Sequence, residues 1–183
     1  DNSLSSRYAR SIARHKKRET SKALALIEGL LAEYPKDPYF HEFHGQILLE
    51  SGNAEAAVAP YERAVNLRPN EVLLRIGLGQ AQVSVENDRY IKAAVTNMRH
   101  AVQLAPGNPA AWRWLGMAYG RIGDIGQAAL ATAERYMLTG KFRDAAGQAS
   151  RAERALDKGS PGWLRAQDLK NAAKQAAKRK KEQ

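Results

Sequence analysis

The stretch Asn108-Pro109-Ala110-Ala111-Trp112-Arg113-Trp114-Leu115-Gly116-Met117-Ala118-Tyr119-Gly120-Arg121-Ile122-Gly123-Asp124 decides the fold. Asn108 precedes a helical run, and Asp124 precedes the next, so each is a candidate N-cap. Between them Trp112, Leu115 and Tyr119 surround a small residue, Gly116. A second small residue, Ala128, follows in the next helix. Small residues facing each other on consecutive helices let the two backbones approach to the short end of normal interaxial distances.

Working outward, the same spacing returns. Pro35 and Pro69 lie 34 residues apart, and Pro106 follows after 37. Counted back from each proline, the eighth, twentieth and twenty-seventh positions are small. They are Gly45, Ala57 and Ala64 in one register. The next gives Gly79, Ala94 and Ala101 when three extra residues are placed near Glu86–Arg89. An earlier register gives Ser11 and Ala23, with Leu30 in place of the third small residue. A 34-residue helix–turn–helix of this kind is the tetratricopeptide repeat (TPR). The prolines stop each second helix and turn the chain.

Beyond Gly123 the pattern loosens. Ala133, Tyr136, Gly140, Phe142, Ala145 and Ala152 fit a degenerate fifth repeat that shares a helix with the fourth. Gly159-Ser160-Pro161-Gly162 then breaks the chain, and Trp163 and Leu169 begin a last helix. Solenoids need such an end helix, with one face on the core and one toward water. The sequence therefore predicts an all-α, TPR-like right-handed superhelical solenoid of about ten antiparallel helices in one domain, 1–183. Its repeats are 4–37, 38–71, 72–108, 109–125 and a degenerate 126–158, with a capping helix 161–179 and a basic tail. The helices are placed near 5–17, 20–34, 38–51, 54–67, 71–85, 89–104, 108–121, 124–138, 141–157 and 161–179. Asn53 and Asn70 complete the expected caps.

Composition agrees with this class. Apolar residues are 44% and charged residues 26% of the 183, enough for a buried core and a solvated surface. No apolar run approaches the roughly 18 residues a membrane helix needs. There is no cysteine, hence neither a disulfide framework nor a thiolate zinc site. The net charge of +10 is uneven: residues 1–22 and 165–183 each carry +5, and 23–164 are balanced. A nucleic-acid binder concentrates basic charge on a docking face, so basic ends on a neutral body argue against that partner. The opening residues, without an initiator Met or a signal-peptide core, read as a fragment of a longer protein.

The sequence offers no catalytic constellation. His41-Glu42-Phe43-His44 has the composition of a zincin motif, but the second His stands one position too early and Gly45 occupies the required place. A place in the helix packing or in the groove is the reading favoured for both histidines. Trp112, Tyr61 and Tyr119 occupy packing positions, while Trp114 lies off that face. The end run Lys178-Arg179-Lys180-Lys181 suits the C-terminus of a helix dipole.

The positive candidate is the face formed by the first helices of successive repeats. Its positions are Tyr8, Ile12, Tyr39, Glu42, Gln46, Leu49, Leu73, Ile76, Gln80, Val83, Arg113, Met117 and Arg121. This mixture of apolar, amide and charged groups suits an extended or helical protein segment. The places that clamp a chaperone's C-terminal carboxylate in some TPR proteins hold Tyr8, Ile12, Phe43, Leu73 and Gly77, which cannot do so.

Three segments together carry a resemblance. They are Pro38-Tyr39-Phe40-His41-Glu42 with Gly45-Gln46, Ala110-Ala111-Trp112-Arg113 with Ala118-Tyr119-Gly120-Arg121, and Gly159-Ser160-Pro161-Gly162-Trp163-Leu164-Arg165-Ala166-Gln167-Asp168. From about Tyr8 to Asp168 the chain resembles the C-terminal TPR region of bacterial periplasmic zinc metallopeptidases of the beta-barrel assembly-enhancing type. The resemblance implies a separate N-terminal domain that holds zinc, with no cofactor in this chain. It also implies a Gram-negative periplasmic location, a role in outer-membrane protein quality control, and partners among outer-membrane proteins, their assembly machinery or the cognate peptidase domain. The other readings are a free-standing TPR adaptor and a binder of nucleic acid or anionic surfaces through the basic ends.

Overall fold

The computed structural model describes residues 2–182 and, among them, ten α-helices and no strand. They gather in two compact units, which divide between residues 86 and 87, each described by itself below. The division falls between the two helices expected of the third repeat, at the inserted residues.

The first unit holds α1 (Leu4–Lys16), α2 (Thr20–Glu33), α3 (Pro38–Glu50), α4 (Ala54–Leu67) and α5 (Val72–Ser84). Each helix packs on the next, and α3 also touches α5. The small-residue register explains the pairing of α1 with α2. Ser11 is fully buried, and its hydroxyl donates to the Ala23 carbonyl at 2.9 Å, so the close approach leaves no polar atom unsatisfied. Ile27, Leu30, Phe40, Phe43 and Ile47 complete the core around Ala23. Full burial of each aliphatic side chain contributes about 1.5–3 kcal/mol. Leu30 therefore fills, rather than spoils, the position where a small residue was expected.

Between α3, α4 and α5 lies a tighter arrangement. Tyr61 of α4 is buried, with Gly45 of α3 on one edge of its ring and Gly77 of α5 on the other. A Cβ on Gly45 would meet the ring at 2.7 Å, and one on Gly77 would stand 3.0 Å from Cδ1 and Cζ. Real Cβ atoms essentially never approach below 3.0 Å, so the ring occupies a slot that two missing side chains create.

The second unit holds α6 (Asp88–Leu104), α7 (Pro109–Arg121), α8 (Ile125–Leu138), α9 (Phe142–Ala155) and α10 (Pro161–Arg179). Consecutive helices pack, and α10 also reaches α8. Its core is dominated by alanine: Ala129, Ala133, Ala149, Ala152 and Ala166 pack with Leu130 and Leu169. Short side chains on facing helices permit the close approach the register called for. Leu156 enters a second glycine slot, 2.6 Å from a Cβ placed on Gly126 and 3.2 Å from one on Gly162. Gly162 of the terminal Gly-Ser-Pro-Gly motif thus has a packing role. Arg165, three residues on, forms two hydrogen bonds to the buried Glu134, Nε to Oε1 at 2.6 Å and Nη2 to Oε2 at 3.0 Å. Leu169 is buried as expected, while Trp163 is half-buried.

Three of the four expected caps act as such. Asn53 accepts from the Ala56 amide, Asn108 from Ala110 and Ala111, and Asp124 from Gln127. Asn70 does not: α5 begins one residue later, after Glu71, with no side-chain cap. Asp37, Asn87 and Ser160 cap α3, α6 and α10. The turns between paired helices use the left-handed region, at Gly52 (φ 88°) and Gly123 (φ 79°). The residue 34 before Gly52 is Arg18, which adopts φ 58° without being glycine.

Candidate protein-binding site

In the first unit a cleft of about 850 Å³ opens between α1 and α3. Four of the expected ligand-facing positions meet there: Tyr8 and Ile12 from α1, Glu42 and Gln46 from α3. The i, i+4 spacing within each pair puts its members on one helix face. Tyr8 is fixed by aromatic contacts, 5.2 Å from Phe40 and 5.5 Å from Phe43 between ring centroids. Burial, and then the nearby Glu42 and Asp37 carboxylates, push its phenol above the ordinary tyrosine range.

The cleft has further walls that the register did not supply. His15, Glu50, Lys16, Arg18, Thr20 and Ser51 also line it. His15 Nε2 lies 2.8 Å from Glu50 Oε2, and Gln46 Nε2 donates to Glu50 Oε1 at 2.7 Å. These two contacts, the Gln46 amide foremost, hold the Glu50 carboxyl below the usual carboxylate range. A signal for them was present: His15 follows Ile12 by three residues and Glu50 follows Gln46 by four, so each extends the same helix stripe.

Glu42 differs from Glu50. It is half-buried and, among the described residues, has no hydrogen bond or ion pair. Desolvation raises its carboxyl above the usual range, and among the described residues no cation is paired with it.

The remaining expected positions are distributed as follows. Tyr39 and Leu73 are strongly exposed, at 47% and 67%, and Leu49 and Gln80 are half-buried. Ile76 and Val83, at 9% and 4%, offer almost no surface, so the expectation that they line a ligand face is corrected. In the second unit Arg113, Met117 and Arg121 form an exposed i, i+4, i+8 stripe on α7, with the Arg113 guanidinium 5.1 Å from the Trp114 ring centroid. A separate cavity of about 190 Å³ in that unit is walled by Trp112, Tyr119, Leu130 and the Glu134–Arg165 pair. Trp112 is half-buried there and donates its indole N–H to the Pro106 carbonyl at 2.7 Å.

His41 and His44 open on another cleft of the first unit, of about 580 Å³, with Glu28 and Arg63. His41 is buried and its Nε2 is 2.8 Å from the Pro35 carbonyl, so it ties α3 to the preceding turn. His44 Nε2 stands 3.6 Å from Glu28, and burial lowers its pKa below the usual histidine value. Among the described residues no group of three His, Asp or Glu side chains is arranged to hold a metal ion. No helix among them is long and apolar enough to cross a membrane.

Paired helices in a 34-residue register, close-packed at small residues and with first helices lining a cleft, make this a TPR-like helical repeat protein. The tetratricopeptide repeat family model matches residues 40–71, which are α3, α4 and the turn that follows. Among curated proteins, the beta-barrel assembly-enhancing protease of Yersinia pestis is 27% identical over 157 residues. Those residues are 86% of this chain but 32% of that protein, so the chain spans about a third of that relative's length. Among solved structures, MamA of Desulfovibrio magneticus RS-1 superposes with a TM-score of 0.68 at 17% identity, covering 93% of each chain. YrrB, described as a TPR protein with an unusual peptide-binding site, gives 0.63 at 19%, covering 93% of this chain and 88% of that one. The fold is thus the TPR-like solenoid that the sequence led us to expect.

Proposed function

We propose that this chain is a non-catalytic protein-interaction module that takes a partner segment in the cleft between α1 and α3. One observation carries the reading. Four positions that the repeat register reserves for ligand contact, Tyr8, Ile12, Glu42 and Gln46, converge on one open cleft of about 850 Å³. The unusual peptide-binding site of YrrB, a protein of like fold, is in keeping with it. More finely, the chain is the recognition region of a periplasmic zinc metallopeptidase of the beta-barrel assembly-enhancing type. In that setting it presents outer-membrane proteins, or their assembly machinery, to a zinc-bearing domain elsewhere in the protein. Support for this comes from the terminal Gly159–Asp168 motif and from the likeness to the Yersinia pestis protease.

The experiment measures binding of a purified, urea-unfolded outer-membrane β-barrel protein to the chain by fluorescence anisotropy. Gln46→Arg and Ile12→Arg should weaken binding at least tenfold without lowering the melting temperature by more than a few degrees. Arg63→Ala, which alters the other cleft of the unit, should leave binding unchanged. A larger loss from Arg63→Ala than from both cleft variants would remove the assignment.

A further inference from the structure

We propose that Glu42 is the anchor of a cation subsite, so that the segment held between α1 and α3 carries a lysine or arginine side chain seated against Glu42. The inference rests on the cleft being the protein-binding site, and deepens that reading by naming what is recognised.

The carboxylate itself makes the case. A half-buried, unpaired carboxylate is costly, because part of its water is withdrawn and no protein donor replaces the lost hydrogen bonds. The other acidic residues of the first unit that line or border the cleft are supplied with partners. Glu50 has Gln46 and His15, and Glu19, between the lining residues Arg18 and Thr20, has Arg14 at 2.6 Å. Glu42 alone of these faces the cleft with both oxygens free. An arginine or lysine from outside would supply the missing donors, and charge-assisted bonds of this type are about twice as strong as neutral ones.

The surroundings fit a basic side chain. Tyr8 lines the same cleft and feels the Glu42 charge, so an aromatic ring and a carboxylate share one electrostatic neighbourhood. A ring face beside a carboxylate suits the apolar stem and charged head of lysine or arginine. Ile12 and the edge of Phe43 provide apolar wall for the flanking residues. Lys16 and Arg18 line the same cleft, but neither forms an ion pair with Glu42.

The test uses the 183-residue chain, immobilised, and a random library of displayed dodecapeptides. Peptides recovered from the parent should be enriched at least threefold in Lys or Arg next to apolar residues. For one recovered peptide, Glu42→Gln should raise Kd about tenfold, and replacing its basic residue by norleucine should cost the parent the same factor but cost Glu42→Gln nothing. The amide is isosteric with the carboxylate and relieves its burial, so this variant should melt no lower than the parent. Peptides that bind without a basic residue, yet are displaced by Gln46→Arg, would overturn the cation subsite and leave the cleft reading intact. Enrichment of acidic peptides dependent on Lys16 and Arg18 would overturn it too. Self-association of the chain lost in Glu42→Gln would assign the cleft to a second copy and likewise overturn it. If no peptide is enriched, or if binding survives both Gln46→Arg and Ile12→Arg, the cleft reading itself falls.

Discussion

Replacing Gly45 by alanine should destabilise the protein, against the ordinary direction for a glycine inside a helix. On propensity alone the change favours the folded state by about 1 kcal/mol. The structure reverses the sign. The new Cβ would stand 2.7 and 2.8 Å from Cδ2 and Cε2 of Tyr61, where ordinary contact begins at 3.4 Å. The ring cannot retreat, because Gly77 closes on its other edge. The overlap of more than half an ångström must be taken up by moving α3 away from α4. Overpacking of this kind costs about 1–3 kcal/mol, and a ring with no room to retreat puts this case in the upper half of that range, so the net loss after the propensity gain is on the order of 1–2 kcal/mol. For a chain of this length that lowers the melting temperature by roughly 2–8 °C. Circular dichroism melts would be compared for the parent, Gly45→Ala, and Gly147→Ala as a control. A Cβ on Gly147 in α9 meets nothing within 4 Å, so that variant should melt higher than the parent. In a Tyr61→Ala background, Gly45→Ala should lose its cost and become neutral or stabilising. A Gly45→Ala protein that melts at or above the parent would refute the slot, as would full additivity with Tyr61→Ala.

Four further outcomes are expected. Arg165→Ala strips the buried Glu134 of both bonds and should cost about 1–3 kcal/mol in urea unfolding, with much of the loss recovered by adding Glu134→Gln. Glu42→Gln should raise the melting temperature at pH 7 and have no effect near pH 3. The folded-state carboxyl has a raised pKa, so its penalty is absent at low pH and grows as pH rises through that pKa. Gly116→Ala should be close to neutral, because its Cβ would meet Thr132 Oγ1 at 3.3 Å, a side-chain contact that can yield slightly, and the Ala128 carbonyl and Ala131 Cβ at ordinary distances of 3.5 and 3.6 Å, whereas Gly116→Leu should cost more than about 2 kcal/mol. After dialysis against micromolar zinc, atomic absorption should find well under one equivalent, since His41 is occupied by the Pro35 carbonyl and a catalytic zinc needs three protein ligands.

The architecture was legible because its cause is local and repeated. Gly45, Ala57 and Ala64 recur in later registers at nearly fixed spacing, and close helix approach demands small residues there. The register even overrode a strong local rule. Pro60 would ordinarily end a helix at the preceding residue, yet α4 continues to Leu67 as the repeat requires. The slot around Tyr61 was only half legible. Gly45 was read as a packing glycine, but Gly77 belongs to the next repeat and meets the ring only in three dimensions. Asn70 failed as a cap because α5 starts after Glu71, a boundary shift of the size that cap signals do not resolve. For the site, periodicity gave the helix face of Tyr8, Ile12, Glu42 and Gln46 but not depth, and so Ile76 and Val83 were counted as surface. The pairing of His15 with Glu50 was missed because it depends on how far two side chains reach across the cleft from different helices.

Arg18 bears on any attempt to harden this protein by directed evolution. A non-glycine residue at φ 58° carries about 1–2 kcal/mol of backbone strain, of which glycine's extra unfolded freedom, about 0.5–1 kcal/mol, cancels only part. Heat selection would therefore be drawn toward glycine at position 18, as at Gly52 one repeat on. The same substitution would strip a guanidinium from the wall of the cleft between α1 and α3. A library screened for survival alone would thus drift toward a sturdier scaffold with altered partner choice, and selection rounds that alternate heat with ligand capture would keep the arginine.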